Sequence, residues 1–285
     1  MKKLIRILTK EDLPSVKAME TGIEDDYIIR VFDRICSGNN KLFGLFADDQ
    51  LVSIGGLTVF AKQYAILGRM RSDLRFRGND LSTLLMSKVL EEAFKLPDIQ
   101  WVGANTQEEN FPAQRVLKKI GLVDERYVSC EATANESSAM ESGGAIWQRQ
   151  DNLDRKRHWL QQLFVESAAV FPYECYYPLP ASEGLFEDSK ITRWNFFENP
   201  VGDRVLITKR DLKQHHYLHV VYPFDDLMEQ PGLWETISFA RQELAADLNQ
   251  DTHIWMDLTK QQTAALPDSH PFVIPSPWVL FGKSR

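Results

Sequence analysis

Cysteine is scarce in this chain of 285 residues: Cys36, Cys130 and Cys175 are odd in number and far apart. That spacing gives neither a disulfide framework nor a cysteine-rich metal pattern, and buried thiols in a reducing compartment are expected. Basic residues are outnumbered, 33 Lys and Arg against 40 Asp and Glu, for a formal net charge of -7. No long basic stripe is available to neutralise phosphates, so nucleic acid is not an expected partner; a cationic amine suits the balance better. No run approaches the ~18–20 apolar residues of a spanning helix. The start, "MKKLIRILTK", is basic but lacks the apolar stretch of a secretory leader. No membrane partner and a cytoplasmic location are therefore expected. No nucleophile elbow, P-loop or zinc spacing occurs.

What is present is an ordinary globular mixture, 44% hydrophobic and 26% charged. The length suggests about two domains or one large one. The first half alternates strand and helix signals. "KKLIRILT" reads as a strand, "KEDLPSVKAME" as a helix start capped by Thr9 or Asp12, and "YIIRVFDRICSG" as a helix stopped by Gly38-Asn39-Asn40. "KLFGLFA" and "LVSIGGLTVFA", joined at "DDQ", read as a hairpin. "YAILGRMRSDL" is a strand. A helix follows, with Leu81, Leu85, Val89 and Ala93 recurring every four residues and Leu84 and Leu90 beside them. "IQWVGANT" is a strand, and "NFPAQRVLKKIG" a helix with Asn110 as N-cap and Gly121 as its left-handed stop.

After the strand "RYVSCEATA", the polar, small-residue stretch "NESSAMESGG" reads as a linker or a long hairpin. Six of the seven tryptophans lie beyond it. The second half repeats the order of the first: "AIWQRQDNLDRKRHWLQQLF" mirrors the opening strand, cap and helix, and "HIWMDLT" mirrors "IQWVGANT". "DRVLITKRD", "YLHVVYP" and "PWVLFGK" are strands, and "LWETISFARQELAADL" is an amphipathic helix. A duplicated α/β unit explains this order, with domains at 1–142 and 143–285. The aromatic cluster "FPYECYYP" reads as core or interface; "HHYLH" places His215 and His219 on one strand face and His216 on the other, and no acid or cysteine follows at ligand spacing, so no metal is expected.

Glycine is missing where it would be most useful. In "RFRGNDLSTLLMSKVL" a strand runs through a turn into a helix, the setting in which backbone amides and the helix dipole hold a phosphate. Arg75 and Arg77 supply positive charge. Only Gly78 is present where two or three glycines would be expected, and Asp80 stands where the anion should lie. The carboxylate either points outward, leaving the amides free, or caps the helix at the phosphate's expense.

Here the chain resembles the GNAT N-acetyltransferase family, whose pyrophosphate motif is Gln/Arg-x-x-Gly-x-Gly/Ala. Arg77 and Gly78 match it, Asp80 replaces the next Gly, and Ser82 the final Gly/Ala. "NFPAQRVLKKIGL" resembles the family's "NxxAxxxYxxxGF" through Asn110, Ala113, Gly121 and Leu122, with Leu117 in place of the Tyr. The resemblance covers roughly residues 1–142. It implies a tandem GNAT fold of mixed α/β class, with acetyl-CoA or another acyl-CoA as cosubstrate and a small-molecule or peptide amine as its partner in the reaction. It implies that backbone groups near Met70 and Ser72 pair with the pantetheine arm. Arg75, Arg77, Gly78, Asn79, Asp80, Leu81, Ser82 and Thr83 would surround the pyrophosphate, and Asn110 and Ala113 would flank the arm.

In this family the amine attacks the thioester directly, which needs a proton acceptor and a donor to the leaving thiolate. Leu117 cannot donate, so Tyr127 is the candidate in its place. Glu108 and Glu24 are the candidate bases. The second half has no Arg-x-x-Gly, and is expected to lack a cofactor site and to complete the acceptor pocket or pack on its neighbour. The alternative is a non-catalytic acyl-CoA-binding or regulatory protein of the same fold.

Overall fold

The computed structural model describes residues 2–285, apart from the side chains of residues 124–126. It divides into two compact units, Met1–Arg126 with Val279–Arg285, and Tyr127–Trp278. The boundary falls ahead of the expected 142/143. The final strand, expected in the second half, returns to the first unit, where the Arg285 N–H donates to the Gln100 carbonyl at 2.8 Å.

In chain order the elements are β1 (Lys3–Ile7), α1 (Leu13–Lys17), α2 (Tyr27–Arg30), α3 (Phe32–Ile35), β2 (Asn40–Ala47), β3 (Gln50–Phe60), β4 (Tyr64–Ser72), α4 (Leu81–Phe94), β5 (Trp101–Gln107), α5 (Phe111–Lys119) and β6 (Val123–Ala134). They continue with β7 (Gln148–Gln150), α6 (Leu153–Leu160), β8 (Val170–Glu174), β9 (Tyr177–Pro180), α7 (Asp188–Ile191), β10 (Asn195–Glu198), β11 (Val205–Leu212), β12 (His216–Val221), α8 (Leu233–Leu248), β13 (Thr252–Leu258), α9 (Lys260–Ala264) and β14 (Trp278–Ser284).

The first unit is a mixed sheet in the order β1-β2-β3-β4-β5-β14. Asp48 and Asp49, both at positive φ (46° and 67°), make the two-residue turn of the β2–β3 hairpin, the twist-matched geometry for so short a loop. The expected helix over "YIIRVFDRICSG" is two single-turn helices, because Val31 leaves the helical region (φ −108°, ψ 14°). Asp26 caps the first of them, its carboxylate accepting the Ile28 N–H at 3.1 Å. On the other face of the sheet, α4 buries Leu81, Leu85, Met86, Val89, Leu90 and Ala93, whereas Leu84 faces solvent. Gly55 on β3 permits this contact: a Cβ there would stand 2.4 Å from the Met86 sulfur.

The second unit is a sheet in the order β6-β13-β12-β11-β10-β7, with the separate hairpin β8–β9. Its core on the α8 side gathers Trp147, Leu206, Leu218, Leu233, Trp234, Ile237 and Ile254. The stretch "NESSAMESGG" is not a linker. Ser137 and Met140 are buried within it, and Ser137 shares a hydroxyl hydrogen bond of 2.9 Å with Ser238 of α8. Small residues here allow close packing onto α8 instead of slack: Gly144 lies where a Cβ would be 2.2 Å from the Gly232 nitrogen.

Candidate active site

Strands β4 and β5 are parallel and pair through Tyr64↔Trp101, Ala65↔Val102 and Ile66↔Gly103. The ladder ends there. Residues 67–72 of β4 and 104–106 of β5 then become the walls of a cleft of about 630 Å³. A bulge accompanies the parting: Ile54 faces Arg71 but Gly56 faces Gly68, so β4 carries one extra residue against β3. Arg69 sits in that bulge at φ 59°. A left-handed arginine costs on the order of 1 kcal/mol or more. Its guanidinium is held by Asn40 Oδ1 at 2.9 Å and Thr58 Oγ1 at 2.8 Å, which fixes the conformation. The bulge was missed in the sequence, although an isolated Gly in a strand, here Gly68, is the signal for one.

The segment leaving β4 is braced by a buried carboxylate. Asp73 accepts the N–H groups of Glu20 (3.2 Å) and Arg75 (3.0 Å) and the Arg75 guanidinium at 2.5 Å. That guanidinium, above all, holds the Asp73 carboxyl down at about 2. Arg75 also pairs with Glu20 at 3.1 Å. Its expected place among the pyrophosphate groups is thus taken up by intramolecular bonds, and it does not line the cleft. Arg77 does line it and is exposed, and its guanidinium donates a long 3.4 Å bond to the Thr21 carbonyl. Gly78 takes φ 83°, a conformation for which glycine has no steric penalty, with open space beside its Cα.

Asp80 resolves the conflict in the turn. It occupies the N-cap position of α4 at φ 53° without a side-chain capping bond. Its carboxylate instead turns outward to the Lys119 ammonium at 2.6 Å. A helix leaves its first N–H groups without intrahelical partners, and here no side chain caps them. Leu81, Ser82 and Thr83, the residues of this uncapped first turn, line the cleft. Ser82 anchors the helix end to the strand: its hydroxyl meets that of Ser72 at 2.5 Å, and the Ser53 hydroxyl donates to the Arg71 carbonyl at 2.9 Å.

The remaining wall comes from α5. Asn110 caps it, Oδ1 accepting the Ala113 N–H at 3.3 Å, and Pro112, Ala113, Val116 and Leu117 line the cleft. Leu117 is buried and apolar, so this wall offers no hydroxyl at that position. Gly121 ends the helix at φ 85°, with the Leu122 N–H returning to the Leu117 carbonyl at 3.1 Å. Of the expected cofactor residues, Met70, Ser72, Arg77, Gly78, Asn79, Asp80, Leu81, Ser82, Thr83, Asn110 and Ala113 all line this one cleft.

The three candidate proton-transfer residues are not brought there. Glu24 is exposed, and neither it nor Glu108 is among the cleft-lining residues. Tyr127 belongs to the second unit. Burial pushes its phenol well above the ordinary range. Among the described lining residues, Asp80 is the only carboxylate, and it is paired with Lys119. Beside the cleft, a second hollow of about 280 Å³ shares Thr21, Ile23 and Arg71 with it and adds Asp25, Asp26 and Arg30. There the Arg71 fork grips Asp26 at 2.6 and 2.8 Å. Burial works to raise the Asp26 carboxyl, but the Arg71 bonds and the Ile28 N–H outweigh it and hold it below its ordinary value.

The β4–β5 ladder thus ends beside a cleft that the start of α4 also lines, and a helix N-terminus is a setting that can hold an anion. Residues 5–122 match the acetyltransferase (GNAT) family, and over that span the chain carries a GNAT acetyltransferase domain. The fold likeness extends over both units. A GCN5-related N-acetyltransferase from Sphaerobacter thermophilus superposes with a TM-score of 0.57 at 14% identity, covering 99% of this chain and 95% of that one. An assigned acetyltransferase of Thermoplasma acidophilum gives 0.55 at 14% identity, covering 99% and 100%, and one of Pyrococcus horikoshii 0.53 at 11%, covering 99% and 89%. No curated protein sequence matches the chain.

Proposed function

We infer that the first unit binds acetyl-CoA, or another acyl-CoA, in the splayed cleft and transfers the acyl group to an amine. The observation that carries this reading is the end of the β4–β5 ladder at Ile66 and Gly103, directly beside the uncapped start of α4. The β4 edge beyond Ile66, which no longer pairs with β5, suits the amide groups of a pantetheine arm. The α4 amides with Arg77 suit the pyrophosphate. Asp80 stays with Lys119, so its charge is offset.

The amine reaches the thioester carbon from the side of the Arg71–Asp26 hollow. No cleft carboxylate serves as base, so the ammonium loses its proton to water, or the acceptor is an amine already neutral at working pH. As the C–S bond breaks, the electron pair leaves on sulfur. Leu117 cannot protonate it, so the proton lost by the nitrogen once the C–N bond has formed passes through water to the thiolate. The second unit has no acyl-CoA site.

Thermal melting with and without acetyl-CoA tests this, together with thiol release across a panel of amines. A ligand at about 100 times its dissociation constant stabilises the fold by roughly 2.7 kcal/mol. Neither a melting shift nor thiol release with any amine would sink the assignment.

A further inference from the structure

The two sequence clusters that acyl transfer does not use, "HHYLH" and "FPYECYYP", meet inside the second unit. His219 of the first and Cys175 of the second are both fully buried. Asp211 of β11 joins them, and one donor atom from each of the three lies within 4.8 Å of the others. His219 Nε2 is held at 2.8 Å by the Asp257 carboxylate, while the buried Nδ1 has no hydrogen-bond partner. An unsatisfied buried ring nitrogen is costly unless something occupies it. An imidazole oriented by a carboxylate on one nitrogen and open on the other is the arrangement in which proteins present histidine to a metal.

We propose that Cys175, Asp211 and His219 bind one zinc ion, with Asp257 orienting His219 from outside the coordination sphere. A thiolate, an imidazole and a carboxylate form a donor set suited to zinc rather than to calcium or magnesium. Tetrahedral bonds of the usual lengths place donors roughly 3.5 Å apart, so the three groups close by at most about 1.3 Å on binding. Both Asp211 oxygens already accept bonds, Oδ2 from the Cys175 N–H at 2.7 Å and Oδ1 from the Leu212 N–H at 2.7 Å, with the Lys213 ammonium 3.2 Å from Oδ1. Each carboxylate oxygen has two lone pairs, so one stays available. Lys213 is shared with Glu174 at 3.1 Å, which moderates its charge. Binding breaks the Cys175 S–H bond, leaves the electron pair on the sulfur–zinc bond and releases the proton to solvent. The ion clips the turn after β8 to strands β11 and β12, so its role is to hold the second unit together.

The test uses the untagged full chain, stripped with a chelator and dialysed, then titrated separately with Co²⁺ and Zn²⁺. One equivalent of cobalt is expected to give a thiolate-to-cobalt charge-transfer band that zinc displaces, and zinc is expected to raise the melting temperature. Cys175→Ser should abolish the band. Asp211→Asn keeps an oxygen for the Cys175 N–H, and Asp257→Asn leaves the ligands in place; each should weaken affinity by about 10–100-fold. Absence of a thiolate band at one equivalent overturns the site, as does a band that survives Cys175→Ser. If Cys175→Ser does not fold, unchanged affinity in Asp211→Asn overturns it.

Discussion

Both units contain a strand, a helix and a parallel strand in succession, β4–α4–β5 and β12–α8–β13, yet they differ at the point where a cofactor would enter. In the first, the parallel ladder covers three residue pairs and stops. In the second it continues through five, from His216↔Thr252 to Val220↔Met256. The helix starts differ as well. Neither has a side-chain cap, but that of α4 borders the cleft. That of α8 is covered by the chain before β7: the Glu235 carboxylate takes the N–H groups of Ser142 and Gly144 at 2.7 and 2.8 Å, and the Thr236 hydroxyl takes that of Trp147 at 2.9 Å. A helix after a strand is therefore not enough for a pyrophosphate site. The early end of the ladder, and a helix start that borders a cleft instead of lying under a strap, make the difference.

The largest expected effect attacks the covered unit. Gly144→Val drives a side chain into the Gly232 and Pro231 backbone, which cannot yield as a flexible side chain could. It should cost about 3 kcal/mol or more, read as a lower denaturation midpoint. The displaced strap should not create an acyl-CoA site, because β12 and β13 stay paired; new binding would break the contrast. Next comes the open unit. Arg77→Ala removes an exposed charge-assisted contact of about 1.5–3 kcal/mol, so acetyl-CoA affinity should fall by roughly 10–100-fold by calorimetry, with melting of the free protein unchanged.

A smaller effect concerns pH. The Asp73 carboxyl sits at about 2 when folded, against an ordinary value of 3.8. Its contribution is complete above the unfolded value and is lost as pH falls from 3.8 towards 2. With Arg75 partly exposed, that loss is on the order of 1 kcal/mol. Asp73→Asn should flatten this part of the acid stability profile. The smallest effect is at the anomalous acid. Asp80→Gly suits the φ of 53° and removes a negative charge near the anion site; acyl-CoA should bind a few-fold tighter, about 0.5–1 kcal/mol. Weaker binding would show that the Asp80–Lys119 pair shapes the loop.

Much of the first unit was legible in the sequence because local chemistry decides it. Asn110 and Gly121 end their helix as expected, and Arg77 and Gly78 lie in the cleft. What escaped depends on partners distant in the chain. Arg75 is claimed by Asp73 and Glu20, Asp80 by Lys119 thirty-nine residues on, and the polar strap by α8. Leu84 shared the four-residue rhythm closely enough to look buried, but Met86 took the core position. The cluster of Cys175, Asp211 and His219 needed three separate strands and turns to be assembled, which no spacing rule reveals.

The most direct test is the stoichiometry of acetyl-CoA binding to the full chain by titration calorimetry. One site per chain, with affinity reduced by Arg77→Ala and retained in Glu235→Gln, is the expected result. Two sites per chain, or one site unaffected by Arg77→Ala, would contradict the division between an open and a covered unit.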